Sequence, residues 1–298
     1  MQDDALSHLP DVKRRELERV VTILFDEFDD ATKLATSDKK KAGRILKIIL
    51  FGSYARGDWV EDLSSGYRSD YDLLIVVSGE QFTDLHRYWD KADEHLVREY
   101  AVTGHLRTPV NFIVHSLEEV NDQLVRGRPF FIDVVRDGII LYDAPGIDLS
   151  KPKARTPEEV KAEARGYFAQ WMPNADRRLK LAKDAVDQGF DKEAAFLLHQ
   201  AAEALYHCLL LTLTLYSPKS HRLSVLRSHA ESLVPQLKNV WPDDTKPARQ
   251  AFAKLQKAYV EARYSAEYAI SSEMLTWLSE RIALLRIEVT AVSEQATA

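Results

Sequence analysis

Two aspartates one residue apart, Asp70 and Asp72, stand at the entrance of an almost wholly apolar run, LLIVV. An earlier apolar run, KIILF, ends in a Gly-Ser pair, Gly52-Ser53, and sixteen residues lie between Ser53 and Asp70. Burying a carboxylate is costly unless something pairs with it. Alternate residues of a strand share a face, so Asp70 and Asp72 point one way and Tyr71 the other. Two like charges on one face repel unless a cation lies between them. A divalent cation suits hard carboxylate oxygens, and Mg²⁺ commonly completes its shell with water and substrate phosphates. Glycine permits close backbone approach, and the Ser53 hydroxyl and nearby N–H groups can donate to a phosphate. If the two strands are neighbours in one sheet, these residues read as a site for a metal-bound nucleoside triphosphate. The competing reading is bland: the aspartates end a loop and the serine caps a turn.

The elements that must position these residues follow from periodicity. Leu17, Val20, Val21, Leu24, Phe25 and Phe28 recur at helical spacing, which predicts a helix over 11–35. KIILFGS, DLLIVVS and PVNFIVHS read as strands. FTDLHRYWDKADEHLVREYAVTG reads as helical and stops at Gly104. Ser116 with Glu119 three residues on is a capping-box pattern. FFIDVVRDGIILYDA predicts a short helix, a turn at Asp137-Gly138 and a last strand. DAPGIDLSKPKARTPEE breaks the pattern with Pro145, Gly146, Pro152 and Pro157, which separates a domain over 1–148 from one over 149–298. Beyond it no strand is evident. EEVKAEARGYFAQW and NADRRLKLAKDAVDQ read as two helices, followed by four more ending in SSEMLTWLSERIALLRIEVTAV. The fold class is α+β: a small mixed-sheet domain, then an all-α bundle.

The 298 residues carry a formal net charge of -6, so no overall basic balance points to nucleic acid. A single cysteine, Cys208, excludes an intrachain disulfide and suits a reducing compartment. It lies in an apolar helical run and reads as an inert buried thiol. The N-terminal MQDDALSHLPDVKRREL lacks a hydrophobic signal core, and HCLLLTLTLY is far short of a membrane span. A soluble, cytoplasmic protein with no membrane partner is expected. The KKKAGR run, Lys39 to Arg44, reads as a solvated approach to the first strand.

GSYARG followed by SDYDLLIVV resembles the signature of the DNA polymerase β-like nucleotidyltransferase superfamily, in its minimal branch. The resemblance covers roughly 40–143, including the tail FFIDVVRDGIILYD. It implies transfer of a nucleoside monophosphate from a triphosphate, ATP first, to a hydroxyl on a small molecule or a protein, with release of pyrophosphate. It implies nucleotide binding by Gly52, Ser53 and Arg56, and Mg²⁺ held by the catalytic Asp70 and Asp72. Two departures stand out. The interval containing DWVEDLSSGY is long and extends a loop at the mouth of the site. On TPVNFIVHS the family often carries a third acid, and Asn111 is the equivalent here; asparagine cannot act as a general base.

AAFLLHQAAEALYHCLLL, SPKSHRLSVL and AYVEARYSAEY resemble HEPN domains over roughly 160–290. Some HEPN proteins are dimeric RNases with Arg, four to six residues, then His. Here Arg263 begins the best-placed candidate, but Tyr268 stands where that histidine would be, so no metal-independent RNase activity is expected. Arg222 to His229 also fits the spacing, in a different part of the bundle. His199 and His207 read as packed rather than as metal ligands, His221 as first-turn, and Trp171, Tyr206, Tyr259 and Tyr264 as core or interface aromatics. The resemblance implies a homodimer. The alternative to an enzyme is a nucleotide-binding or toxin–antitoxin-type module with little turnover.

Overall fold

The apolar stripe of the first helix does form one: α1 spans Asp11–Lys33 and buries Leu17, Val20, Ile23, Leu24 and Phe28. The structure, a computed structural model, describes residues 5–33, 43–61, 68–242 and 244–298. Lys39 to Ala42 of the basic run, and 62–67 of the long interval, lie outside the described residues. The chain divides into two compact units, Met1–Ala154 and Arg155–Ala298.

In the first unit four strands form one mixed sheet in the order β3-β2-β1-β4: β1 (Ile45–Phe51), β2 (Tyr71–Val77), β3 (Val110–Ser116) and β4 (Ile139–Asp143). β1 runs antiparallel to both β2 and β4, and β2 runs parallel to β3. Every residue of β2 is buried, as expected of a central strand covered on both faces. Tyr71, Leu73, Ile75 and Val77 share a core with α1, while Asp72, Leu74 and Val76 take the opposite face. Between the strands lie α2 (Gly52–Arg56), α3 (Leu85–Tyr88), α4 (Asp90–Arg98), α5 (Leu117–Val125) and α6 (Pro129–Asp137). Gly104 ends the α4 region in the left-handed conformation, φ 68°. Ser116 caps α5 by accepting from the Glu119 N–H, and the Glu119 carboxylate pairs with His115.

The second unit has no strand among its described residues and is built of α7 (Pro157–Asp187), α8 (Asp191–Thr214), α9 (Leu223–Leu233), α10 (Lys246–Tyr264) and α11 (Ser272–Thr297). Two sequence expectations change. The pair of helices expected either side of Met172-Pro173 is one helix of 31 residues, with Pro173 inside it. A proline there removes one ladder bond; burial of Ala164, Met172, Ala175, Ala182 and Ala185 along one stripe keeps the helix continuous. His221 lies before α9, because Arg222 is the N-cap. α8 is long and apolar enough to cross a membrane by length and composition, but most of its apolar window is buried in the bundle core. Cys208 lies in that core, and burial pushes its thiol up to about 12. Tyr206 is buried there too, whereas Tyr264 is 77% exposed and no core residue.

Candidate active site

β1 and β2 are neighbours, and Phe51 stands opposite Asp72. The turn after β1 therefore meets the entrance of β2. Gly52 opens α2 at φ +74°, a conformation that favours glycine. A Cβ at this position would stand 2.4 Å from Asp72 Oδ2, so only glycine leaves room for the carboxylate against the backbone. Asp72 is buried and Asp70 half-buried. Burial first, and then the neighbouring Asp70 charge, push the Asp72 carboxyl well above the usual range; Arg56 opposes this. Arg56, in the last turn of α2, also donates from Nε to Asp58 at 3.3 Å. Ser53 is half-buried in the first turn of α2, and its carbonyl accepts from the Gly57 and Asp58 N–H groups.

Parallel pairing puts Asn111 of β3 directly opposite Asp72. Its Nδ2 donates to Asp70 Oδ2 at 2.7 Å. Asn111 thus gives an amide N–H to one of the aspartates, orienting that carboxylate. Gly52, Ser53, Arg56, Asp70, Asp72 and Asn111 all lie at one end of the sheet.

Other residues were not evident from spacing. At the end of α6 Arg136 donates to Asp137 at 2.7 and 2.6 Å, holding that carboxyl below its usual range, and the Arg56 charge adds to the effect. The Arg56 charge therefore acts on both Asp72 and Asp137. On the other face of β2 is a buried polar network. The Tyr71 hydroxyl donates to Glu16 Oε2 at 2.9 Å, Thr108 donates to the same oxygen at 3.0 Å, and the Arg107 N–H donates to Glu16 Oε1 at 2.8 Å. Lys13 donates to Thr108 at 2.6 Å and pairs with Glu61. This network ties α1 to both segments that lead into β2 and β3. Lys13 and Glu16, on the face of α1 shared with Leu17 and Val20, are the signal that could have revealed it.

In the helical unit Tyr268 is buried; its hydroxyl donates to the Lys254 carbonyl at 3.0 Å, and burial raises it to about 12. Arg263 is exposed at the end of α10 and donates from Nε to the Tyr259 carbonyl at 2.7 Å. His229 is buried, and burial pushes its imidazole down to about 4. His199 is fully buried, and among the described residues no group of three or more His, Cys, Asp or Glu is arranged to hold a metal.

A divalent cation fits the pair Asp70 and Asp72. The donors are hard oxygens on one side of the chain, burial and then the Asp70 charge raise the Asp72 carboxyl, and the absence of a side chain at Gly52 lets the backbone approach that carboxylate. Two carboxylates leave coordination positions for water and phosphate oxygens.

Comparison with known proteins gives a family for each part of the chain. Residues 32–122 match the model of a nucleotidyltransferase domain, and 168–286 match that of a HEPN domain. Over 116 residues the chain is 38% identical to a protein of Methanocaldococcus jannaschii named "Putative protein adenylyltransferase"; the match covers 39% of this chain and 92% of that protein.

Proposed function

We propose, on the premise that this chain belongs to the nucleotidyltransferase family and carries a HEPN domain behind it, that it moves AMP from ATP, with Mg²⁺, to a hydroxyl on a small molecule or a protein. In such a transfer the bond from the α-phosphorus to the pyrophosphate oxygen breaks. A bond to the acceptor oxygen forms, and the acceptor proton leaves to a base. Asp70 and Asp72 would hold the cation, which when bound offsets phosphate charge. Gly52 and Ser53 bring backbone N–H groups and a hydroxyl to the phosphates, and Arg56 adds a positive charge. The observation that carries the reading is the close approach of Gly52 to Asp72: the carboxylate lies against the space a Cβ on Gly52 would take, so turn and acid adjoin. The relative's name supports adenylyl as the group moved.

Asn111 stands opposite Asp72 and donates to Asp70, so it positions a carboxylate and takes no proton. That favours a second reading, a nucleotide-binding or toxin–antitoxin-type module with little turnover. Incubation with each α-labelled triphosphate and Mg²⁺, with and without candidate acceptors, separates the two. Label transfer with pyrophosphate release, greatest for ATP, is expected. Tight binding of ATP with no pyrophosphate from any acceptor would favour the second reading. The same proposal includes a cytoplasmic homodimer that acts without nucleic acid. Light scattering that gives the 34.0 kDa mass of one chain would exclude the dimer.

A further inference from the structure

Tyr54 follows Ser53 in the turn, and Tyr71 stands between Asp70 and Asp72. Both tyrosines are fully buried in the core shared with α1, and their rings lie 4.5 Å apart. Each half of the candidate site therefore sends one large side chain away from the aspartates to a common place. Thr108, three residues before Asn111, is fully buried as well.

These three side chains meet two residues of α1. Glu16 accepts from the Tyr71 and Thr108 hydroxyls on one carboxylate oxygen and from the Arg107 N–H on the other. Lys13 donates to Thr108, lies over the Tyr54 ring at 5.5 Å and pairs with Glu61. Glu61 bridges to Arg68, and Val60 and Ser69 exchange two hydrogen bonds of 2.9 Å, so the chain is fixed just ahead of Asp70. Lys13 and Glu16 are themselves buried, on the face of β2 turned away from Asp72, and form no part of the site's surface. Apolar residues of similar volume could hold α1 to the sheet equally well. What a satisfied buried polar network adds is a single fixed arrangement of the groups it joins. Here those groups come from the turn, from β2 and from the segment entering β3.

We infer that Glu16 and Tyr71, with Lys13 and Thr108, are positioning residues for the nucleotide: from the far face of the sheet they fix the spacing between the Ser53 turn and the Asp70–Asp72 pair that together receive a Mg²⁺-bound triphosphate. The inference rests on the function proposed above. Tyr71 shares one short backbone segment with both aspartates, so a displaced ring displaces both carboxylates. The tolerance is small. Asp72 Oδ2 lies 2.4 Å from the place a Cβ on Gly52 would take, and binding constellations need their groups held within about 0.5 Å.

The test is calorimetric titration of ATP into the full chain, in Mg²⁺ and in EDTA, well below each variant's melting temperature. Tyr71→Phe removes one hydroxyl and keeps the ring. It is expected to weaken Mg²⁺-dependent ATP binding by about tenfold and to leave any binding in EDTA unchanged. Glu16→Gln should do the same, because its amide puts a donor where donors already converge. The double variant should lose no more than the larger single loss, since both changes break one unit. Ile23→Val, about two turns further along α1, is the control for stability alone. It should melt lower and bind ATP with Mg²⁺ as the unaltered chain does. If Tyr71→Phe does not fold, Thr108→Val, which removes the hydroxyl between Lys13 and Glu16, carries the same expectation. Unchanged Mg²⁺-dependent binding in either Tyr71→Phe or Glu16→Gln would overturn the inference and leave the proposed function standing. So would an equal loss in Ile23→Val, or losses that add in the double variant, because the effect would then follow stability. No Mg²⁺-dependent ATP binding by the unaltered chain would remove the proposed function itself, and this inference with it.

Discussion

Gly52 and Asp72 constrain one another closely. An L residue at φ +74° is strained by about 1 kcal/mol, and a methyl there would also displace the Asp72 carboxylate. Gly52→Ala should therefore lower the melting temperature and abolish Mg²⁺-dependent ATP binding together. A variant that melts lower but binds ATP normally would separate the turn from the site. Asn111 supplies a second probe. Its amide donates to Asp70, so Asn111→Asp replaces a donor with a third like charge. We expect that variant to be destabilised by roughly 2 kcal/mol without metal, the loss of one charge-assisted hydrogen bond, and to be stabilised by Mg²⁺ more than the unaltered chain is. Equal Mg²⁺ shifts in thermal melts would count against a cation at Asp70.

The elements divide into those the sequence announces and those that depend on partners far along the chain. The strands were legible because KIILF and LLIVV are too apolar and too short to be anything but buried strands. The aspartates were legible because two carboxylates at that entrance need a reason. The through-going α7 was not: Pro173 reads locally as a break, and only packing of the small residues along one stripe overrides it. Pro173→Ala should restore the missing ladder bond and raise the stability of the helical unit by about 1 kcal/mol or more, measured by urea unfolding. A drop would mean that the proline ring is itself part of the packing. The Lys13–Glu16–Tyr71–Thr108–Glu61 network was equally hidden, since its members come from four places in the sequence. Lys13→Met leaves buried Glu16 without its nearby cation and the 39% exposed Glu61 without its partner, and should destabilise by about 1 kcal/mol, less than the loss of a fully buried pair because water screens Glu61. An unchanged urea midpoint would show that the network does not hold α1 to the strand entrances.

At the scale of the whole molecule, pH acts on the two units in opposite senses. His199, His207 and His229 are each pushed down to about 4 by burial. Their folded values lie below the ordinary 6.5, so the unfolded chain binds protons first as pH falls. The stability they contribute is present above about 6.5 and is lost as pH falls through about 4. The helical unit should therefore melt progressively lower over that window, and His229→Gln should flatten the slope; a flat profile from 7 to 4 would contradict burial of these rings as neutral groups. Asp72 works in the opposite sense. Its folded value is raised, so ionisation costs the folded state, and stability falls as pH rises through that value. Asp72→Asn should then leave the metal-free chain as stable or more stable at neutral pH. The same substitution should remove a cation ligand. The most direct measurement is a set of paired thermal melts of the unaltered chain and Asp72→Asn, each with ATP and Mg²⁺ and with ATP and EDTA. The difference between the two conditions subtracts any metal-independent nucleotide binding. We expect a clear Mg²⁺-dependent rise in the unaltered chain and none in Asp72→Asn, whose melting point in EDTA is equal or higher. An equal Mg²⁺-dependent rise in both proteins would contradict a metal-bound triphosphate at Asp72.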